Sequence, residues 1–280
     1  QIGDSAMLRI PEDLYSASSS SSSSTKKSAS TIPPASPDDV AFIVFSSGST
    51  GTPKGIVLSH RAIATAGYYV GERLQIRSDS RVLQFSSYAF DMSIIETWQA
   101  LTRGACLCIP SETQRLNSMP EFIHQHAVTW AFFTPTTLKN FEPSDFPTLE
   151  TVVLGGETIP VDLVRRWESS VSILNLWGPA EVGPAGAGPI TPTNGWVPGT
   201  FGKAAGCIAW VVLPDDSNSM TPIGTVGEVL IEGAVVADGY LNDPERTRQV
   251  FIDAPRWRAR YSEIPVQGRF FRTGDLCHYN

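Results

Sequence analysis

The sequence predicts an α/β fold with a largely parallel sheet and flanking helices, followed by a smaller β-rich, barrel-like unit. Three observations carry this expectation. Short apolar runs alternate with helical patterns from Val40 to about Pro189; beyond Pro189 glycine and proline become frequent and helical patterns fade; and 41% of the 280 residues are hydrophobic, enough to bury a sizeable core. The expected division is 1–38 as the end of a preceding segment and a linker, 39–190 as the α/β unit and 191–280 as the β-rich unit.

Taken in order, Ser16 to Ser24 is nearly pure serine, and the residues up to Asp39 add lysines and Pro33, Pro34 and Pro37. Such a stretch has too little apolar surface to offset its ordering entropy, so a disordered linker is expected. Val40 to Phe45, Arg81 to Phe85, Ala105 to Ile109, Trp130 to Phe133, Thr151 to Leu154 and Ser172 to Leu176 read as buried strands. Helices are expected over Ser59 to Leu74, Ile94 to Leu101, Met119 to His126 and after Pro160. Ser118 with Glu121 three residues on suggests a reciprocal capping box at the third of these. Alternating strands and helices favour parallel neighbours joined by crossovers. Ile208 to Leu213 and Glu228 to Ile231 are the strands expected in the second unit.

Charge and cysteine usage exclude several functions. The formal net charge of -7 comes from acids spread along the chain, which argues against a nucleic-acid binder. Cys106, Cys108, Cys207 and Cys277 form no C-x-x-C pair and have no histidine at metal-ligand spacing, so buried thiols in a reducing, cytoplasmic compartment are expected. No signal-like start and no apolar stretch long enough to span a bilayer is present, so no membrane partner is expected.

The sharpest local signal is Ser46, Ser47, Gly48, Ser49, Thr50, Gly51, Thr52, Pro53, Lys54 and Gly55, placed after an apolar run. Glycines let backbone amides approach an anion, the hydroxyls add donors and Lys54 adds positive charge, which together suit a phosphate cradle. A flexible surface loop has the same composition. The pattern is not a Walker A loop, because Pro53 precedes the lysine and Gly55 follows it.

The run Ala41 to Phe45 leading into SSGSTGTPKG resembles the phosphate loop of adenylate-forming enzymes, and further motifs follow in that family's order. These are Phe90-Asp91-Met92-Ser93, Gly155-Gly156-Glu157, Asn175 to Glu181, Gly227 to Gly233 with Gly239-Tyr240-Leu241, and Phe271 to Leu276. The chain is thereby similar to the adenylation domain of a non-ribosomal peptide synthetase, as part of that family's large N-terminal subdomain, incomplete at both ends. The resemblance implies that ATP binds at residues 46–55, with Lys54 countering phosphate charge, and that Glu181 ligates Mg2+. It also implies that Trp177 stacks on adenine, that Gly156, Glu157, Asn175 and Gly178 surround the nucleotide, and that Asp275 accepts the ribose hydroxyls. Ala180 stands where the family often has a threonine.

Asp91 decides between subfamilies. In peptide synthetases the aspartate at that place pairs with the substrate's α-ammonium, since a charge in an apolar pocket must be paired. The other pocket positions implied by the resemblance are Met92, Ile95, Phe132, Val153, Gly155, Leu176, Pro184 and Ala185, none charged. An apolar amino acid is expected, aliphatic or aromatic. The runner-up readings are an aryl- or acyl-CoA ligase of the same superfamily and a degenerate nucleotide-binding or interaction module. The family's small C-terminal lid, with its catalytic lysine, would follow Asn280. Expected partners are carrier-protein and condensation domains of the same synthetase, with phosphopantetheine on the carrier.

Overall fold

Two adjacent strands facing opposite ways across the glycine-rich motif set the frame of the site. β1 (Val40–Ser46) and β2 (Lys54–Ser59) pair antiparallel, with Ser46 opposite Lys54 and Phe45 opposite Gly55. The computed structural model describes residues 35–46, 53–191, 196–265 and 268–279, so the serine tract and residues Ser47, Gly48, Ser49, Thr50, Gly51 and Thr52 lie outside the described residues. Ser36–Asn280 makes one compact unit.

The main sheet has seven strands in the order β4 (Cys106–Cys108), β3 (Arg81–Leu83), β5 (Trp130–Phe133), β6 (Thr151–Gly155), β7 (Ser172–Trp177), β8 (Gly186–Pro189) and β9 (Lys203–Ala204). The first five run parallel, β8 runs antiparallel to β7, and β9 runs antiparallel to β8. Every residue of β5 and β6 is buried, as expected of strands covered on both faces. Alternation sorts their side chains. Trp130, Phe132, Val153, Leu174 and Leu176 face one core, shared with helices His60–Arg73 and Met92–Thr102. Ala131, Phe133, Val152, Leu154 and Ile173 face the other, packed by helices Met119–Gln125 and Val161–Trp167.

A five-stranded antiparallel sheet follows, in the order β11 (Asp216–Met220), β10 (Ile208–Leu213), β12 (Gly227–Gly233), β15 (Arg269–Cys277) and β14 (Phe251–Ile252). Two of its glutamates are buried with guanidinium partners: Glu228 accepts from Arg272 at 2.7 Å, and Glu232 accepts from Arg258 at 2.8 Å and from Trp210 Nε1 at 2.8 Å. A third sheet joins β1, β2 and β13 (Gly239–Tyr240), with Tyr240 opposite Ile56.

Three expectations are corrected. Val40 to Phe45 is a strand but not a buried one: only Val44 is buried, and Val40, Ile43 and Phe45 are exposed, because the strand lies in the small antiparallel sheet and not within the parallel one. Lys54 and Gly55, read as the end of the loop, and Ser59, read as a helix start, belong to its partner strand, Lys54–Ser59. The reciprocal capping box belongs to Ser111 and Gln114, at the start of helix Glu112–Asn117. Ser118 makes no side-chain cap, since it also closes the preceding helix and its backbone (φ -147°, ψ 43°) lies outside the extended region a cap requires.

Candidate active site

Lys54 opens β2, and its ammonium reaches Glu181, with Tyr240 Oη at 3.2 Å. Tyr240 donates to the same Glu181 oxygen, Oε1, at 2.7 Å, and Lys54 Nζ lies 4.8 Å from the Tyr240 ring centroid. Glu181 is only 3% exposed, and its backbone carbonyl accepts from Ala237 N at 2.8 Å. The β13 strand is tied to the opening of β2 by Leu241 N donating to Gly55 O at 2.7 Å. Burial, then the hydrogen bond to Glu181, pushes the Tyr240 phenol well above its usual range, so it stays a neutral donor.

The turn from Trp177 to Ala185 carries Glu181 and is closed on itself. Ala185 N donates to Trp177 O at 2.9 Å and Val182 N to Pro179 O at 3.0 Å. A side chain at Gly178 would collide with the Gly183 carbonyl oxygen, so that position requires glycine. Trp177 stacks on Phe201, ring centroids 4.7 Å apart. Asn175 holds the Phe201 segment by donating to Thr200 O at 2.7 Å.

Beside this turn lies a cavity of about 560 Å³, within the size range of small-molecule sites. Of the expected nucleotide contacts, Gly156, Glu157, Asn175, Trp177, Gly178 and Asp275 line it. Of the expected side-chain pocket, Asp91, Met92, Ile95, Phe132, Leu176 and Pro184 line it. Val153 and Ala185 lie one layer back in the core, and Gly155 packs against Phe132 and the Leu176 carbonyl. Lys54 and Glu181 are not among the residues lining it, although Ala180 and Val182 are; a side chain at Gly55 would press on Ile43, Phe45 and Leu241, and Ser46 Oγ is buried with no partner among the described residues. Glu157 also accepts from Thr136 Oγ1 at 2.6 Å and Thr136 N at 3.0 Å, which fixes its carboxylate at the rim.

Asp91 occupies the N-cap position of helix Met92–Thr102 but makes no side-chain cap, its backbone being helical (φ -57°, ψ -29°). Burial raises its carboxyl above the usual range, and the charge of Glu181 adds to that. A carboxylate so placed favours a cation beside it. One turn on, Glu96 is completely buried and accepts from Ser86 Oγ at 2.8 Å, Ser86 N at 3.1 Å and Gln84 Nε2 at 3.2 Å. It thus fastens the segment leading to Phe90 and Asp91 onto the helix. Burial pushes its carboxyl up to about 7 against the opposing effect of these donors.

Tyr240, Phe201 and Glu96 are site residues that sequence reasoning did not assign. Tyr240 had a visible signal in the Gly239-Tyr240-Leu241 motif; Phe201 and Glu96 had none. Among the described residues no group of three or more ligating side chains could hold a metal alone. Glu181 suits an ion shared with phosphate oxygens, because both of its described side-chain hydrogen bonds fall on one carboxylate oxygen and Mg2+ takes few protein ligands beside phosphates. Among the described residues no helix is long and apolar enough to cross a membrane.

Comparison with known proteins identifies the family and the fold. The family described as AMP-binding enzyme matches residues 4–241. Nonribosomal peptide synthetase phqB of Penicillium fellutanum is 80% identical over 280 residues; the match covers the whole of this chain and 11% of that protein's length. The Vibrio cholerae adenylation domain AlmE, solved in complex with glycyl-adenosine-5'-phosphate, aligns with a TM-score of 0.72 at 27% identity over 86% of this chain and 46% of that one. PA1221, a protein containing adenylation and PCP domains, aligns with a TM-score of 0.73 at 26% identity over 92% of this chain and 46% of that one.

Proposed function

We propose, given that the chain belongs to the AMP-binding enzyme family, that it is part of a domain that activates an apolar α-amino acid as its aminoacyl-AMP. The observation that carries the amino-acid reading is Asp91, a half-buried carboxyl on the cavity wall that makes no side-chain cap and whose proton affinity is raised by burial. An α-ammonium supplies the counter-charge that position lacks. In the reaction a substrate carboxylate oxygen forms a bond to the α-phosphorus of ATP, the bond from that phosphorus to the bridging oxygen of the β-phosphate breaks, and pyrophosphate leaves with the electron pair. Lys54 and the loop before it counter the charge of the leaving group. Trp177, its ring already set by Phe201, presents a stacking face to adenine, and Asp275, exposed at the cavity, accepts the ribose hydroxyls.

Glu181 would hold Mg2+, which supplies charge neutralisation at the phosphates when bound. The resemblance to PA1221 supports a carrier domain as partner, whose phosphopantetheine thiol takes the acyl group from AMP; condensation domains of the same synthetase would use it next. All four cysteines are free, which supports a reducing, cytoplasmic setting, although only Cys108 is buried as expected and Cys106 is exposed.

ATP–pyrophosphate exchange in the full-length protein tests the reading. Exchange should require magnesium and an apolar amino acid, and Glu181→Gln should lower its rate by at least about tenfold, equivalent to about 1.4 kcal/mol of barrier. Equal exchange with carboxylic acids that lack the amino group would instead identify an aryl- or acyl-CoA ligase, and an absence of both exchange and nucleotide binding would leave an interaction module.

A further inference from the structure

The cavity extends past the pocket positions marked in the sequence, to a wall formed by helix His60–Arg73. Ala62, Ile63 and Ala66 of that helix line it, together with Ile94 and Ile95 of helix Met92–Thr102 and Val182 of the turn after β7. The two helices lie side by side and run in the same direction. A methyl group added at Gly67 would stand 2.8 Å from Trp98 Nε1, and one added at Gly71 would meet Gln99 Oε1 first and stand 2.6 Å from Arg103 Nε. Arg103 also donates to the Tyr68 carbonyl at 2.5 Å. Moving one turn along the first helix shifts the contact from Trp98 to Gln99 and Arg103, further along the second. The turn before Gly67, which carries Ile63 between Ala62 and Ala66, lines the same cavity as Ile94, Ile95 and Asp91.

The glycines at 67 and 71 draw the helices together, and the alanines at 62 and 66 leave open the space that longer side chains would fill. That end of the cavity presents aliphatic side chains, while Phe90 and Phe132 flank the Asp91 end. A small substrate side chain anchored at Asp91 would leave this depth unfilled and forgo its contacts.

We propose that Ala62 and Ala66 set the depth of the side-chain compartment, so that the favoured substrate is an α-amino acid with a large aromatic side chain reaching past Ile95. This rests on the amino-acid-adenylating reading above. The wall makes Ala66 a specificity-determining residue that lies far in sequence from the pocket motifs.

Binding of non-hydrolysable sulfamoyl adenosine analogues carrying alanine, leucine or 2-naphthylalanine, measured by calorimetry on the full-length protein, tests it. The wild type should bind the naphthylalanine analogue at least about tenfold more tightly than the alanine analogue, which corresponds to about 1.4 kcal/mol. In Ala66→Leu that ratio should fall by a further factor of about ten or more, with the leucine analogue between the two. Because the measured quantity is a ratio within one preparation, partial misfolding does not mimic the effect, and Ala62→Val, a smaller change, should move the ratio the same way. A wild type that binds the alanine analogue at least as well as the naphthylalanine one, or variants that leave the ratio unchanged, would overturn the proposal. Failure of all three aminoacyl analogues to bind while ATP still binds would overturn the amino-acid reading itself, and is recognisably a different result.

Discussion

Two sets of carboxylates, buried except for the half-buried Asp91, differ in what faces them. Around the two small sheets, Glu181 meets Lys54, Glu228 meets Arg272 and Glu232 meets Arg258. At the start of helix Met92–Thr102, Asp91 and Glu96 meet no cation among the described residues; Glu96 has neutral donors, and Asp91 has the cavity. A buried ion pair is complete in itself and holds elements together, whereas a lone buried carboxylate is completed only by a proton or by a cation from outside. Glu228 and Glu232 therefore read as architecture, while Glu181, whose two side-chain partners share one oxygen, keeps its other oxygen for the role proposed above. In the second, Glu96 has the environment for a proton and Asp91 the access for a ligand.

The largest expected effect breaks this comparison at Asp91. Asp91→Ala would strand a substrate ammonium, costing roughly 3–5 kcal/mol, or more than about a hundredfold in pyrophosphate exchange with the best amino acid. An analogue of that substrate lacking the amino group has no charge to strand, and its weak activation should be unchanged or improved. Equal losses for both compounds would move Asp91 into the structural set.

Glu96 gives the next effect, through pH. Its folded-state carboxyl is raised to about 7 from an ordinary 4.5, so between those values the folded chain holds a proton the unfolded chain has released. Stability then falls as pH rises through that window, by at most about 3 kcal/mol. Glu96→Gln should remove that slope, so the difference in urea midpoint between variant and wild type should grow in the variant's favour from pH 4.5 to 7. Parallel curves would show that Glu96 is ionised throughout and that its neutral donors outweigh burial.

The smallest effect sharpens the paired side. Tyr240→Phe keeps the ring beside Lys54 and removes one hydrogen bond to Glu181, for an expected loss of about 0.5–1.5 kcal/mol in unfolding free energy. No measurable change would mean that Lys54 alone satisfies Glu181.

The parallel sheet was legible because burial on both faces writes continuous apolar runs; Trp130 to Phe133 was placed to the residue. The antiparallel hairpin was not. Lys54 to Ser59 begins inside a glycine-rich motif that masks its strand character, and Val40 to Phe45 is apolar without being buried. The motif residues Asp91, Trp177, Gly178 and Asp275 do gather at one cavity. What short motifs do not encode is contact between distant elements: Phe201 against Trp177, Ser86 against Glu96, and the alanine face of helix His60–Arg73 are consequences of packing, visible only once the chain is folded.

Anyone wishing to redirect substrate choice should treat the turn after β7 and the helix His60–Arg73 as opposite kinds of material. At Gly178 every side chain runs into the Gly183 carbonyl, so a randomised library there returns broken turns, and its neighbours tolerate change only in so far as they keep that fold. Codons 62 and 66 specify methyl groups that face empty volume, where added bulk reshapes the void while the backbone hydrogen bonds of the helix stay in place. Mutagenesis effort is better concentrated on the helix, with the turn held invariant as the template against which new shapes are selected.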